Sequence, residues 1–343
     1  MNLAGRKALA RAAAVTGLLV ASLALTLVAA RAQDKTYVMK IATVTLNAAP
    51  DLYARNYAAA IEKESGGRIK PEVYPASQLG TAPRQIEGTQ FGAIQAVVLP
   101  PEFFVGVDER FEVLAAPGLV NALPHAQKVA ADPAVMKLML GLGAEKGLRG
   151  VGLFGGEMNE LLSKTPIRHL ADFKGKKLRI FASEFQSVAF QRLGATPVAM
   201  SPGDVMAAIQ QGALDGASAG VQLLAGMHFN DAAKYITMTN HCAIFIIAEV
   251  SKKWYESLPA DLQQAVDRAG ASESVAINPQ ALEITAKARK TWLDAGGELI
   301  DLPADEQAQM LKTLASVGED VSKANPALAD AYKVVTDAAQ RTR

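Results

Sequence analysis

Apolar and polar positions follow two rhythms along this chain. Val38 to Val44 reads as a strand. From Pro50 to Glu64 the residues Tyr53, Tyr57, Ala60 and Ile61 recur at the spacing of one helix face, and Gly66-Gly67 stops the pattern. Ile69 to Tyr74 is extended again; Pro71 cannot donate to a ladder, which suits an edge strand. Pro83 to Phe91 makes a short helix ended by Gly92. Ala93 to Leu99 is then a buried strand, halted by Pro100-Pro101. Strand and helix in alternation predict an α/β fold with mainly parallel pairing.

One unit occurs twice. Gln90-Phe91-Gly92-Ala93-Ile94-Gln95-Ala96 resembles Gln210-Gln211-Gly212-Ala213-Leu214-Asp215-Gly216. Each is a helix end, a glycine free to take positive φ, and a short strand. The second helix opens on Ser201-Pro202-Gly203-Asp204: a cap serine, a first-turn proline and a carboxylate three residues on. Two such units suggest two similarly built lobes; chance similarity is the alternative. Asp261 to Ala295 stays helical apart from Gly270 and Pro279. It reads as one long helix kinked near Pro279, or as two helices broken at Asn278-Pro279. Helices near Asp305 to Val317 and Pro326 to Ala339 close the chain.

The first residues change the picture. Arg6, Lys7 and Arg11 precede an apolar run from Ala12 to Ala30, and Ala30-Arg31-Ala32 offers small residues for cleavage. This is the pattern of a secretory leader, residues 1–32; a retained N-terminal anchor is the alternative. Of 343 residues, removal of 32 leaves 311, which calls for two lobes. The 35 Lys and Arg fall by four to 31 against 34 Asp and Glu, a net −3. Nucleic acid is thereby a poor partner. Cys242 is the only cysteine, so no disulfide framework is expected, and its apolar setting reads as a buried inert thiol.

Candidate chemistry centres on Arg179 in Lys177-Leu178-Arg179-Ile180-Phe181. A guanidinium in an apolar strand keeps its proton and must meet an anion, and its planar fork matches a carboxylate. Either that carboxylate belongs to a ligand, or Arg179 pairs with Glu184 or Glu157. Gly216-Ala217-Ser218-Ala219-Gly220 fits the G-x-S-x-G of serine esterases, with Asp231 and His241 following. The strand before it is only a stub, the spacing to Asp231 and His241 is compressed, and no glycine-rich oxyanion loop follows an early strand. His125, His169, His228 and His241 are scattered, without metal-ligand spacing. Neither metal nor cofactor is expected, which favours a binding protein over an enzyme.

Several further segments carry a family pattern. They are Gly66-Gly67-Arg68-Ile69 leading to Tyr74-Pro75-Ala76-Ser77-Gln78-Leu79-Gly80, Lys174-Gly175-Lys176-Lys177-Leu178-Arg179, and Gly194-Ala195-Thr196-Pro197-Val198-Ala199-Met200-Ser201. Leu214-Asp215-Gly216, Thr239-Asn240-His241 and Trp254-Tyr255-Glu256-Ser257-Leu258-Pro259 follow in order. Together these segments resemble the DctP-type periplasmic solute-binding subunits of tripartite ATP-independent periplasmic (TRAP) transporters, and the resemblance implies a two-lobed periplasmic-binding-protein fold, each lobe a mainly parallel sheet flanked by helices, with a long kinked helix crossing both. The expected division is 33–156 plus 243–280 for lobe I and 157–242 plus 281–343 for lobe II. It also implies closure over a small carboxylate and delivery to a membrane permease; a monomer is expected separately. The family's carboxylate-binding arginine falls on Arg179.

Departures from the sialic-acid binders of that family bear on the solute. Their second arginine is here Asn159, and their asparagine after Asp-Gly is here Ala219. A polar stretch becomes Leu99-Pro100-Pro101-Glu102-Phe103-Phe104. Fewer polar partners and more apolar surface favour a monocarboxylate with an apolar or aromatic body, such as a 2-oxo, 2-hydroxy or aromatic acid. The expected contacts are Arg179, Asn159, Phe181, His241, Gln78, Phe103, Met200 and Ala219. Each has a plainer reading: Asn159 as a turn residue, His241 as a satisfied core histidine, Phe181, Phe103 and Phe104 as core, Gln78 as a loop brace, Met200 as core filler.

Overall fold

The computed structural model describes residues 35–343, so the expected leader at residues 1–32 lies outside the described residues. Among these residues eleven strands form two sheets. The first holds β1 (Tyr37–Ala42), β2 (Ile69–Tyr74), β3 (Ala96–Leu99), β4 (Leu148–Met158) and β10 (Ala243–Ser251), in the order β2-β1-β3-β10-β4. The second holds β5 (Glu160–Ser163), β6 (Lys177–Ile180), β7 (Thr196–Ala199), β8 (Gly216–Ala219), β9 (Tyr235–Thr237) and β11 (Glu298–Ile300), in the order β11-β9-β5-β8-β6-β7. Pro71 does sit on an edge strand, β2. Each sheet is a set of parallel pairs with one reversed member. β10 runs against β3 and β4, and β5 runs against β8 and β9.

The reversed strands are those by which the chain changes lobe. β4 ends at Met158 and β5 starts at Glu160, so a single residue, Asn159, joins the two sheets. β9 returns to β10 through residues 238–242. The third crossing is the helix Ala260–Asp294, unbroken for 35 residues with Pro279 inside it. Pro279 has no N–H for the carbonyl of Val275, which is tolerable because Val275 is exposed. Gln127 Nε2 donates to the Asn278 carbonyl at 2.9 Å, bracing the same turn from the first lobe. Gly270 lets this helix press on β4, since a Cβ there would lie 2.3 Å from the Val151 carbonyl oxygen. Tyr53 and Tyr57 fix its other side by donating to the carbonyls of Gly270 and Val266.

The end of the chain departs from the expected division. Leu328, Ala331, Val335 and Ala338, on the helix Pro326–Arg341, belong to the same apolar core as the first sheet. Arg341 also reaches Asp132 at 2.9 Å. An amphipathic helix goes wherever an apolar face is open, and here that face is the first lobe. The preceding helices, Ala304–Leu314 and Val317–Lys323, lie against Glu184–Arg192 of the second lobe, with Arg192 bonded to Asp320 and the Thr313 carbonyl. The C-terminal segment therefore clasps both lobes. Among the described residues no helix is long and apolar enough to cross a membrane.

Candidate functional site

Arg179 lies on β6, between β7 and β8, close to the carboxyl end where open α/β sheets bind ligands. It is only 1% exposed. Nε donates to the Met200 carbonyl at 2.7 Å and Nη1 to the Ser218 carbonyl at 2.8 Å. The guanidinium carbon stands 4.4 Å from the Phe181 ring centroid. Two carbonyls and one ring thus hold the planar group in place. Nη2 is buried with no partner among the described residues. A charged donor left so is costly unless an acceptor arrives.

The facing wall comes from the first lobe. β3 runs into the turn Pro101–Phe104, which buries Glu102 and sets Phe103 with its ring centroid 5.6 Å from that of Phe181. Glu102 Oε2 has no partner among the described residues. Burial pushes its carboxyl up to about 8; Glu112 adds to the rise and Arg179 opposes it. Burial pushes Arg179 down to about 9, with Glu102 countering. At neutral pH the arginine is therefore charged and Glu102 mostly carries its proton. Nearby the two lobes meet directly, Glu112 Oε2 accepting from the Glu184 backbone N–H at 2.6 Å.

A third wall is the loop after β2. Ala76 and Ser77 hold φ of 51° and 60°, with their N–H groups bonded to the carbonyls of Thr45 and Thr43. Such backbone costs about 1 kcal/mol per residue and tends to gather at functional sites. Ser77 Oγ is buried without a partner. It faces Gly203, where an added Cβ would lie 3.8 Å from that oxygen. Ser201, next to the carbonyl that holds Arg179, is the N-cap of Pro202–Gln210, yet its hydroxyl caps nothing and is likewise buried and unpartnered. Both lobes therefore bring unsatisfied polar groups to one place, around a single fixed cation.

The expected contacts separate into two sets. Arg179, Phe181 and Phe103 share this cleft, and Met200 contributes its carbonyl while its side chain packs on the second core. Asn159 is instead committed inside the protein. It is fully buried; Oδ1 accepts from Ser218 Oγ at 2.9 Å, and Nδ2 donates to Cys242 Sγ at 3.5 Å. Ala219 points into the second core, because residues on a strand alternate and Ser218 takes the other face. Gln78 is exposed, and the inward position belongs to Ser77 one residue earlier. His241 bonds Thr239 Oγ1 through Nδ1 at 2.8 Å and sets its ring edge-on to Phe190. Burial pushes it down to about 4, so it is neutral, with Nε2 unpartnered. Glu102, Ser77 and Ser201 were not expected; an acid wedged between Pro-Pro and Phe-Phe was the available signal for the first.

The esterase geometry is not formed. Gly216–Ala219 is itself a strand, so Ser218 sits mid-strand, not on a sharp turn. Its hydroxyl donates to Asn159, while His241 is engaged by Thr239. Cys242 is buried, and desolvation pushes its thiol up to about 12, as an inert thiol requires.

Residues 45–324 match the DctP family, described as bacterial extracellular solute-binding protein, family 7. The C4-dicarboxylate-binding periplasmic protein DctP of Rhodobacter capsulatus is 30% identical over 265 residues, 76% of this chain and 79% of its own. A TRAP periplasmic solute-binding protein from Desulfovibrio salexigens, solved with bound orotic acid, superposes with a TM-score of 0.84 at 21% identity, over 90% of this chain and all of that one. One from Shewanella oneidensis, solved with bound succinate, gives 0.81 at 23% identity, over 89% of this chain and 99% of that one. At those identities the two structures establish the shared two-lobed fold.

Proposed function

Because the chain belongs to family 7 of the bacterial extracellular solute-binding proteins, we propose that it is the solute-binding subunit of a TRAP transporter that encloses a small monocarboxylate between its lobes. The observation that carries this reading is the buried, immobilised Arg179 with Nη2 unsatisfied. A solute carboxylate supplies the missing acceptor, and the pair strengthens as closure expels water. Phe103 and Phe181 offer an apolar or aromatic body its surface. A second carboxylate would be set against the Phe103 and Phe181 rings, since Arg179 has one free arm and the first carboxylate takes it. That disfavours a C4-dicarboxylate, the solute named for the Rhodobacter relative, and favours a 2-oxo, 2-hydroxy or aromatic acid.

The protein works as a periplasmic monomer, cleaved near Ala32, and hands the closed complex to its membrane permease. Solute shifts the population toward closure because only the closed form contacts it from both sides. A panel of mono- and dicarboxylic acids in a thermal-shift assay tests the reading. An acid at 100 times its Kd adds about 2.7 kcal/mol of stability. Arg179→Ala removes that gain, and Arg179→Lys keeps the charge but loses the fork and weakens binding markedly. Undiminished binding by the alanine variant overturns the assignment; a preference for succinate overturns the solute class alone.

A further inference from the structure

Arg179 Nη2 is not the cleft's only group in want of a partner. Glu102 is another, and its place follows from the residues around it. β3 ends at Leu99, and Pro100-Pro101 lead the chain into the turn Pro101–Phe104. Phe104 is fully buried and packs on Phe111 of the first lobe, their ring centroids 5.1 Å apart. Phe103 instead meets Phe181 of the second lobe at 5.6 Å. With one ring anchored in each lobe, the turn has little freedom to swing Glu102 out to water, and Glu102 is 3% exposed. Its charge acts on Arg179, on β6, and on Cys242, on the path from β9 to β10. The carboxyl therefore lies at the inner end of the cleft, near both the cation and the crossing.

Glu102 Oε2 is buried and meets no partner among the described residues. The other buried acid of this wall, Glu112, is already engaged by the Glu184 N–H. Desolvation raises the Glu102 carboxyl to about 8, with Glu112 adding to the rise and Arg179 opposing it, so at neutral pH it mostly carries its proton. A carboxylic acid has an O–H to give, which a carboxylate lacks. The inner end of the cleft thus holds two kinds of free donor, the N–H groups of Nη2 and the acid O–H, on different elements.

We propose that Glu102 is a specificity-determining residue that donates this hydrogen bond to an oxygen on the carbon next to the solute carboxylate, selecting 2-oxo and 2-hydroxy acids over acids without that oxygen. The inference rests on the reading of Arg179 given above: the carboxylate takes the Nη2 arm. The acid O–H is close enough to act on the same guanidinium, so its acceptor belongs within a bond or two of the carboxylate. Carbonyl and hydroxyl oxygens both accept. An acid without either leaves the O–H unmet in a sealed site, which costs affinity. Glu102 then reads the solute as a neutral group, and adds no second charge to a site built around one cation.

Calorimetric titration of the full chain with three acids of one carbon skeleton tests this: phenylpyruvate, 3-phenyllactate and 3-phenylpropionate. Expected is binding of phenylpyruvate, 3-phenyllactate or both about tenfold or more tighter than of 3-phenylpropionate. Which of the two leads tells an oxo from a hydroxyl partner. Glu102→Met keeps the length and has no O–H or N–H; it abolishes the preference by weakening the oxygenated acids and leaves 3-phenylpropionate as it was. Glu102→Gln keeps a donor and keeps the preference. Arg179→Ala weakens all three acids. Equal wild-type affinity for the three, an unchanged preference in Glu102→Met, an equal loss for all three in that variant, or a lost preference in Glu102→Gln each overturns the proposal and leaves the role of Arg179 standing. Undiminished binding by Arg179→Ala, or no saturable binding of any of the three to the wild type, overturns the reading of the cleft and this inference with it.

Discussion

Arg179 and Asn159 are two buried polar residues that the sequence offered for the same task, and the fold gives them opposite ones. Asn159 has its side-chain oxygen and amide engaged by Ser218 and Cys242, and its backbone carbonyl accepts from Thr239 Oγ1. It is complete without a ligand. Arg179 is held as firmly, yet one arm of its fork is left over. Burial and polarity do not distinguish a binding residue from an architectural one. The remaining hydrogen-bonding capacity does, because a finished network has nothing to offer a solute.

The contrast can be broken most forcefully at the arginine. Arg179→Ala is expected to cost about 3–5 kcal/mol in solute affinity, as removal of one member of a buried charge pair does, while leaving the ligand-free stability level or raised. Calorimetry and urea unfolding read the two quantities separately. Asn159→Ala should do the reverse, lowering ligand-free stability by about 1–3 kcal/mol because Ser218 Oγ loses its acceptor in a sealed site. If the asparagine variant loses solute affinity at unchanged stability, the division between the two residues fails.

Glu102 sharpens the comparison through pH. Its folded-state pKa is raised to about 8 from the usual 4.5, so between those values the folded protein binds the extra proton, and stability falls as pH rises through that window. A bound anion beside Glu102 favours the protonated form further. Solute affinity should therefore decline as pH passes about 8, by up to about tenfold per unit. Glu102→Gln should flatten that decline in a titration series; a wild-type profile already flat removes Glu102 from the cleft. The smallest effect is expected for Ser218→Ala, a loss of about 0.5–1.5 kcal/mol in unfolding free energy. No ester hydrolysis should disappear with it, and a serine-reactive fluorophosphonate should label neither form.

Where local chemistry decides an element, the chain was legible. Gly92 and Gly212 take the positive φ that their helix ends require, and Pro71 marked its edge. The long helix was legible as a period but ambiguous at Pro279, since the brace from Gln127 comes from a residue about 150 positions away in the chain. Of the strand Gly216–Ala219 only a stub before it was legible, because glycine, alanine and serine carry little strand preference. Its residues are small for a tertiary reason: a Cβ at Gly216 would lie 2.1 Å from the Leu162 carbonyl oxygen. Gln78 stands one position from the inward-facing Ser77, and Ala219 one from Ser218 on the opposite face, since a single step along extended chain reverses which way a side chain points. The destination of the helix Pro326–Arg341 had no local signature at all. Its apolar stripe says that something is covered, not what.

The route of the chain has a consequence for how such proteins diversify. Neither jaw is encoded by one uninterrupted stretch, because strand, return strand and helix each carry the polypeptide across. Exchanging a single block of gene between relatives would deliver fragments of both jaws and the seams between them. New solute preferences are therefore more readily reached by point changes at the tips of Pro75–Gly80 and Pro101–Phe104 than by shuffling.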